Sequence, residues 1–211
     1  MQPVNFPPAK KIFDIVISLV LLIVLSPAIL LIVLAFACEA VLVRSSRGPI
    51  LYSETRISQG KPFILYKFRI FKVGVLKSLR HSGKFIHTKE LEKNRNNFTY
   101  LGRFLKQVYM DELPQFFNVL RGDISLVGPR PTNSVNAARW LSEGKYSKHL
   151  IKGGVTGYFQ SYKGVKLDRD QNEADMEYIS YCRNNPGWKV VLLDAKILII
   201  SVITVIKAEG I

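Results

Sequence analysis

The dominant feature of the hydrophobic pattern is an apolar run over residues 12–43, broken only by Asp14, Ser18, Ser26 and Glu39 and by a proline at position 27. A cleaved leader does not explain it, because the apolar part of a leader runs only about 7–15 residues. As one straight helix the run would measure roughly 48 Å at 1.5 Å per residue, against a hydrocarbon core of about 30 Å. Pro27 sits at the midpoint, where it removes a backbone donor and kinks a helix. Ser26 beside it can satisfy a carbonyl freed by that kink. Lys10 and Lys11 precede the run and Arg44 and Arg47 follow it, the pattern expected when both ends face the cytoplasm. These residues leave two arrangements open, a tilted span and a bent, re-entrant helix. Asp14 and Glu39 lie near the ends, where either arrangement lets them reach water.

The rest of the pattern is shorter in wavelength. Residues 1–9 carry Pro3, Pro7 and Pro8 and read as a flexible arm. Residues 50–56 and 63–71 read as strands, and Ser58-Gln-Gly-Lys-Pro62 between them supplies the turn of a β-hairpin. Residues 72–97 are polar and basic with no clear period, a mobile loop with room for a short helix. Helices are predicted at about 100–107, 112–120, 133–148 and 169–183. Gly122 stops the second, and Thr132 or Asn133 caps the third. The last apolar stretch, 188–207, is interrupted by Lys189, Asp194 and Lys196. It reads as a core helix, or as one lying in a membrane interface with Trp188 as anchor. The fold class is α+β and mostly helical, with a β-hairpin and several short, amphipathic helices of the interfacial kind. No internal repeat is visible.

Composition narrows the partners. The chain has 211 residues, 48% of them hydrophobic, and a formal net charge of +14. That charge calls for a polyanionic partner: nucleic acid, anionic headgroups or phosphorylated substrates. So apolar a composition argues for lipid over a simple basic nucleic-acid module, and no aromatic-basic platform of the RNP type is present. Cys38 and Cys182 have no metal or disulfide spacing, and His81, His87 and His149 form no ligand pattern and read as surface residues.

Two segments carry candidate chemistry. Asp111 and Glu112 lie in Met110-Asp-Glu-Leu-Pro-Gln115, where Asp111 reads as the N-cap of a helix starting at Glu112, with Pro114 in its first turn. A helix N-terminus favours an ionised carboxylate and attracts phosphate. An ionised Asp111 can act as a nucleophile or hold a divalent cation, although Asp followed by Glu is also ordinary capping. Arg130 stands between Pro129 and Pro131, whose fixed φ angles stiffen its backbone and suit bidentate phosphate binding; a solvated turn has the same pattern. Lys67 and Arg69, two apart on one strand, share a face that can meet phosphate or water.

Taken together, these segments resemble the bacterial sugar transferases called monotopic phosphoglycosyl transferases, over nearly the whole chain. The resemblance rests on Lys11-Ile-Phe-Asp14 with the apolar run to Ser26-Pro27; on Gly48-Pro49, Arg56, Gly60 and Lys67-Phe-Arg69; and on Asp111-Glu-Leu-Pro-Gln115. It continues through Gly122-Asp-Ile-Ser-Leu-Val-Gly-Pro-Arg-Pro131, Lys152-Gly-Gly-Val-Thr-Gly157, and Trp188 with Asp194. It implies a monotopic membrane protein: an arm (1–9), a re-entrant membrane helix kinked at Ser26-Pro27 (10–43), and a catalytic domain (44–211) on the cytoplasmic face of the bacterial inner membrane. It also implies a two-step, Mg²⁺-dependent reaction. Asp111, holding the metal, attacks the β-phosphorus of a UDP-sugar and expels UMP. Undecaprenyl phosphate, or another polyprenol phosphate, then takes the phosphosugar from Asp111, with Glu112 assisting. Arg130, Lys106, Lys67, Arg69 and Arg103 fall on the phosphate and nucleotide side. Membrane lipids are further partners, nucleic acid is not, and there is room for a homo-oligomer.

Some positions depart from the family pattern. Lys106 and Asn97 stand where arginine is usual, Tyr109-Met110 where Ser-Leu is common, Ile70 where Thr or Ser is usual, and Gly153 replaces a proline. An active enzyme is the expectation, because Asp111, Glu112 and Arg130 are retained. The competing reading is an inert membrane-bound relative that acts as a scaffold for glycan enzymes. Sugar choice is expected to rest on the 72–97 and 152–165 segments.

Overall fold

The computed structural model describes residues 2–81, 88–161 and 170–206. Two helices open the chain, α1 (Pro8–Val24) and α2 (Ser26–Leu42), followed by strands β1 (Leu51–Ser58) and β2 (Lys61–Phe68). Then come α3 (Val73–His81), α4 (Thr88–Glu92), α5 (Tyr100–Gln107), α6 (Gln115–Leu120) and β3 (Ser125–Val127). The chain continues with α7 (Ser134–Ser142), α8 (Ser147–Leu150), β4 (Gly154–Thr156), α9 (Tyr158–Ser161), α10 (Gln171–Asn184) and α11 (Gly187–Ile206). The described residues are mostly helical with a small β component, as the pattern predicts.

The break between α1 and α2 has a local cause. Pro27 has no N–H to give to the carbonyl four residues back, that of Ile23. Ser26 Oγ donates to that same carbonyl at 2.8 Å, so the break leaves it satisfied. The ladder resumes with Ile29 N–H to Leu25 C=O at 2.9 Å. The two helices meet at 57°; no single described helix is long and apolar enough to cross a membrane, and this bent pair passes that test together.

The chain forms two compact units: Met1–Leu22 with Ser53–Tyr66 and Gln115–Ile211, and Ile23–Tyr52 with Lys67–Pro114. In the first, β3 and β4 pair in parallel with Ser125 opposite Gly154 and Val127 opposite Thr156, a sheet the pattern missed because each strand is only three residues long. Val127, Ile151, Val190 and Ile197 are completely buried around it. Residues 2–7 are not a loose arm. Val4 and Phe6 belong to this core, and Val4 N–H bonds to Leu150 C=O at 2.6 Å. Nor are Lys10 and Asp14, near the start of α1, solvated. Lys10 is fully buried between Asp14 and Asp194; Asp14 also accepts from Ser125 Oγ at 2.7 Å, and Asp194 from Tyr178 Oη at 2.8 Å. Burying three charges is tolerable because the lysine is paired and each carboxylate is hydrogen-bonded.

Helix α11 buries Val190, Asp194 and Ile197 on one face and exposes Trp188, Leu192, Ile199 and Val202 on another. The hairpin turn is made by Gln59 (φ 49°) and Gly60 (φ 72°). Asn133 caps α7 by accepting from Asn136 N–H at 2.7 Å, and Gly122 (φ 75°) ends α6. Two segments differ from expectation. The 133–148 helix is broken at Gly144 (φ 74°) into α7 and α8. The described residues of the 72–97 stretch are no open loop: they hold α3, α4 and a 3₁₀ turn, Arg95–Asn97, with Leu76 packed on Phe71 and Phe98. Residues 82–87, and 162–165 of the second segment expected to choose the sugar, lie outside the described residues, as do the side chains of His81 and His87. His149 is half-buried rather than at the surface.

Candidate active site

Helix α5 sets the position of the acidic pair. Thr99 Oγ1 caps it by accepting from Gly102 N–H at 2.9 Å. Gly102 is required by packing, because a Cβ there would lie 2.5 Å from Ile70 Cα. The helix ends in Tyr109, whose φ of 58° and ψ of 13° are left-handed. That conformation is usually given to glycine at a helix end, and for a bulky residue it costs about 1–2 kcal/mol. The chain then makes one 3₁₀ turn, Met110–Glu112, closed by Glu112 N–H to Tyr109 C=O and Leu113 N–H to Met110 C=O, both at 3.3 Å. Met110 and Leu113, on either side, pack against a cluster of Ile32, Phe36, Phe68 and Leu105.

Asp111 is therefore not the N-cap of the next helix, which begins at Gln115. It sits inside the 3₁₀ turn, 1% exposed. Glu112 receives Lys67 Nζ at 2.9 Å, and both side chains are largely buried. Two adjacent carboxylates are thus held on a turn whose backbone and apolar flanks are fixed, one buried and one anchored to a lysine.

The other predicted cations divide. Arg69 is only 2% exposed and donates to three carbonyls, Pro49 at 2.6 Å, Ser46 at 2.7 Å and Phe71 at 2.8 Å. It faces neither phosphate nor water; it ties the base of β2 to the segment after α2. Burial lowers its guanidinium pKa, and Glu39 opposes that shift. Lys106 pairs with Glu92 at 3.2 Å. Arg103 stays exposed and donates to the Arg95 carbonyl at 3.1 Å. These residues belong to one unit with Asp111 and Glu112.

Arg130 belongs to the other unit. Its side chain is exposed while Pro129 and Pro131 are buried. Gly154 N–H bonds to Pro129 C=O at 3.1 Å, and a Cβ at Gly153 would come 2.7 Å from Pro131 Cγ, so the Lys152–Gly154 segment braces the turn closely. In the same unit Lys148 makes a buried 2.6 Å pair with Asp175. Burial lowers the Lys148 pKa; Asp175 raises it and the charge of Arg130 lowers it further. That pair was not legible in the sequence, because its two members are 27 residues apart.

Among the described residues no group of three or more His, Cys, Asp or Glu side chains could hold a metal. The adjacent Asp111 and Glu112 match the sparser donor set that suffices for Mg²⁺, which takes one or two carboxylates and completes its shell with water and substrate phosphate.

Comparison with known proteins gives a consistent picture. The family model for bacterial sugar transferases matches residues 6–208. The chain is 35% identical over 199 residues to a UDP-glucose:undecaprenyl-phosphate glucose-1-phosphate transferase of Klebsiella pneumoniae, covering 92% of this chain and 39% of the relative. It is 39% identical over 169 residues to an undecaprenyl-phosphate galactose phosphotransferase of Salmonella typhimurium, covering 76% of this chain and 34% of the relative. It is 32% identical to the uncharacterized sugar transferase EpsL of Bacillus subtilis, covering 96% of this chain and 89% of that protein. The chain spans 39% and 34% of the length of the first two of these relatives.

Proposed function

The chain belongs to the bacterial sugar transferase family, and from that premise we propose that it moves a sugar-1-phosphate from a UDP-sugar to a membrane polyprenol phosphate such as undecaprenyl phosphate. The products are the polyprenol-diphosphate-sugar and UMP. The observation that carries this reading is the fixed 3₁₀ turn holding a buried Asp111 beside a Glu112 anchored by Lys67.

In the first step an Asp111 carboxylate oxygen attacks the β-phosphorus. The bond to the bridging oxygen breaks, UMP leaves with that electron pair, and the phosphosugar stays on Asp111 as an acyl phosphate. In the second step a phosphate oxygen of the polyprenol phosphate attacks the same phosphorus and releases Asp111. The protein needs to bring little beyond position and charge compensation to such a transfer. Lys67 holds Glu112 in one orientation next to the nucleophile. Asp111 and Glu112 are the residues that would hold Mg²⁺, which when bound offsets pyrophosphate charge. Arg103, whose side chain is exposed in the same unit as Asp111, is the cation proposed to meet the nucleotide and phosphates.

The acceptor's lipid tail requires a site at a bilayer. The α1–α2 pair is proposed as a re-entrant helix of the inner membrane, with the catalytic residues on the cytoplasmic face. Its support is the 57° bend, the repaired Ile23 carbonyl and the exposed apolar side chains Ile12, Val16, Val20, Leu31 and Leu42. The inert-scaffold alternative loses its motive. Lys106 pairs with Glu92, and Asn97 Nδ2 donates to Leu91 C=O at 2.9 Å, so both departures serve ordinary contacts.

The test is UMP release by the membrane-embedded protein across a panel of UDP-sugars with undecaprenyl phosphate and Mg²⁺. Asp111→Asn should abolish release and the phosphosugar adduct. Full activity in that variant would refute the nucleophile assignment.

A further inference from the structure

Glu39 is the only acidic residue of α2, whose 17 residues are otherwise almost all apolar. A carboxylate in such a helix is costly unless donors surround it. Here three do. Glu39 Oε1 accepts from Tyr100 N–H at 2.8 Å and from Ser46 Oγ at 2.7 Å, and Oε2 accepts from Leu101 N–H at 3.1 Å. Tyr100 and Leu101 are the first two residues of α5, so their amides are orphan donors at the positive end of that helix. With Thr99 taking the Gly102 amide, the first turn of α5 is fully satisfied, two-thirds of it by a side chain from α2.

The same helix reaches the other end of α5. Ile32, Phe36 and Glu39 recur at helical spacing on one face of α2, and Ile32 and Phe36 share a cluster with Leu105, Met110 and Leu113. Ser46, which bonds to Glu39, gives its carbonyl to Arg69, whose neighbour but one, Lys67, holds Glu112. The start of α5, its end, and the strand that anchors Glu112 are thus all tied to one face of α2.

We propose that Glu39 is a positioning residue for Asp111: by clamping the N-terminus of α5 to α2 it fixes where the Tyr109–Glu112 turn presents the nucleophile. The inference rests on the assignment of Asp111 as nucleophile. A helix cap that served folding alone would lower the melting temperature and leave the rate per folded molecule unchanged.

The experiment uses the full chain in lipid nanodiscs, with UDP-glucose and UDP-galactose as probes. It compares Glu39→Leu, Glu39→Asp and Glu39→Gln by the burst rate of UMP release, the KM for the UDP-sugar, and hydrogen exchange of individual amides. Asp keeps the charge but falls a methylene short of the α5 amides. Leu and Asp should open the Tyr100 and Leu101 amides, speed exchange at Tyr109–Glu112, and slow the burst about tenfold or more with KM little changed, since a displacement of ~1 Å can cost up to about a hundredfold. Gln, which keeps a carbonyl acceptor, should stay within about threefold of wild type. If Leu does not fold, Asp decides. Opened amides at 100 and 101 with a wild-type burst rate and unchanged exchange at 109–112 overturn the proposal. A wild-type protein that releases no UMP from these probes or from any other UDP-sugar of the panel refutes the nucleophile reading instead; exchange at 109–112 then still shows whether Glu39 holds the turn.

Discussion

Replacing Lys10 with Met removes the only cation of a buried cluster. In the folded protein Lys10 lies between Asp14 and Asp194, and its side chain and that of Asp194 have no exposure to solvent. Deleting one partner of a buried pair costs roughly 3–5 kcal/mol, because the other charge is left without its counter-ion. The cost here is discounted, since Asp194 retains the Tyr178 hydroxyl and Asp14 retains Ser125 Oγ, and hydrogen bonds to a charged group are each worth ~1.5–3 kcal/mol. The expected loss is about 2–4 kcal/mol, or roughly 5–15 °C in melting temperature for a chain of this size. The deficit should depend on pH. Burial lifts the Asp194 carboxyl above its ordinary range and Lys10 pulls it back. A carboxyl lifted in the folded state binds its proton more tightly than in the unfolded chain, so acidification through its folded pKa adds stability. Without Lys10 the downward pull is gone and that window moves up toward neutral. Thermal unfolding in detergent should show Lys10→Met far below wild type at pH 8 and closer to it at pH 6. The double variant Lys10→Met with Asp194→Asn should recover much of the loss. A single variant that melts within about 3 °C of wild type at pH 8, or a deficit that grows on acidification, would refute the reasoning.

Three further outcomes follow from the same structure. Lys67→Met should lower kcat for UMP release by about 10–100-fold with KM changed less than threefold, because orientation of Glu112 is lost; a change confined to KM would make Lys67 a substrate-phosphate contact instead. Gly102→Ala forces a methyl to within 2.5 Å of Ile70 Cα and should cost about 1–3 kcal/mol as overpacking, read as a lower melting temperature. Gly153→Pro restores the residue common in the family, yet it removes the amide that donates to Ser58 Oγ at 3.0 Å and crowds Pro131; it should destabilise by about 1–3 kcal/mol, and an unchanged melting temperature would show that this hydrogen bond carries no weight.

What the sequence disclosed was what local chemistry controls. The α1–α2 break followed from Pro27 and Ser26, both of whose consequences are contained within four residues. The hairpin followed from Gln59-Gly60, the helix stops from Gly122, and the α7 cap from Asn133. What it hid depends on distant partners. The three-residue strands β3 and β4 exist because they pair with each other, and neither has a period long enough to see. The packing of Val4 and Phe6 was masked by prolines that read as a loose arm. The end of α5 at Gln107 was legible, but the start of α6 was misjudged: Tyr109 takes a conformation that its side chain disfavours, the chain runs on into a 3₁₀ turn that holds Asp111, and the helix expected at Glu112 begins at Gln115.

The cations show the same division and bear directly on mechanism. A net charge of +14 suggests many groups free to meet pyrophosphate; local pattern singled out Lys67, Arg69 and Arg130, and the family resemblance added Lys106 and Arg103, without distinguishing among them. The fold does distinguish them. Arg69 spends its guanidinium on three carbonyls, Lys67 pairs with Glu112, Lys106 with Glu92, and Arg103 donates to the Arg95 carbonyl from an exposed position. A lysine that replaces the usual arginine at position 106 therefore costs the site less than the pattern implies, because its partner is a glutamate of the chain itself. In the proposed site, order comes from carboxylates such as Glu39 and Glu112, which a count of positive charge does not register.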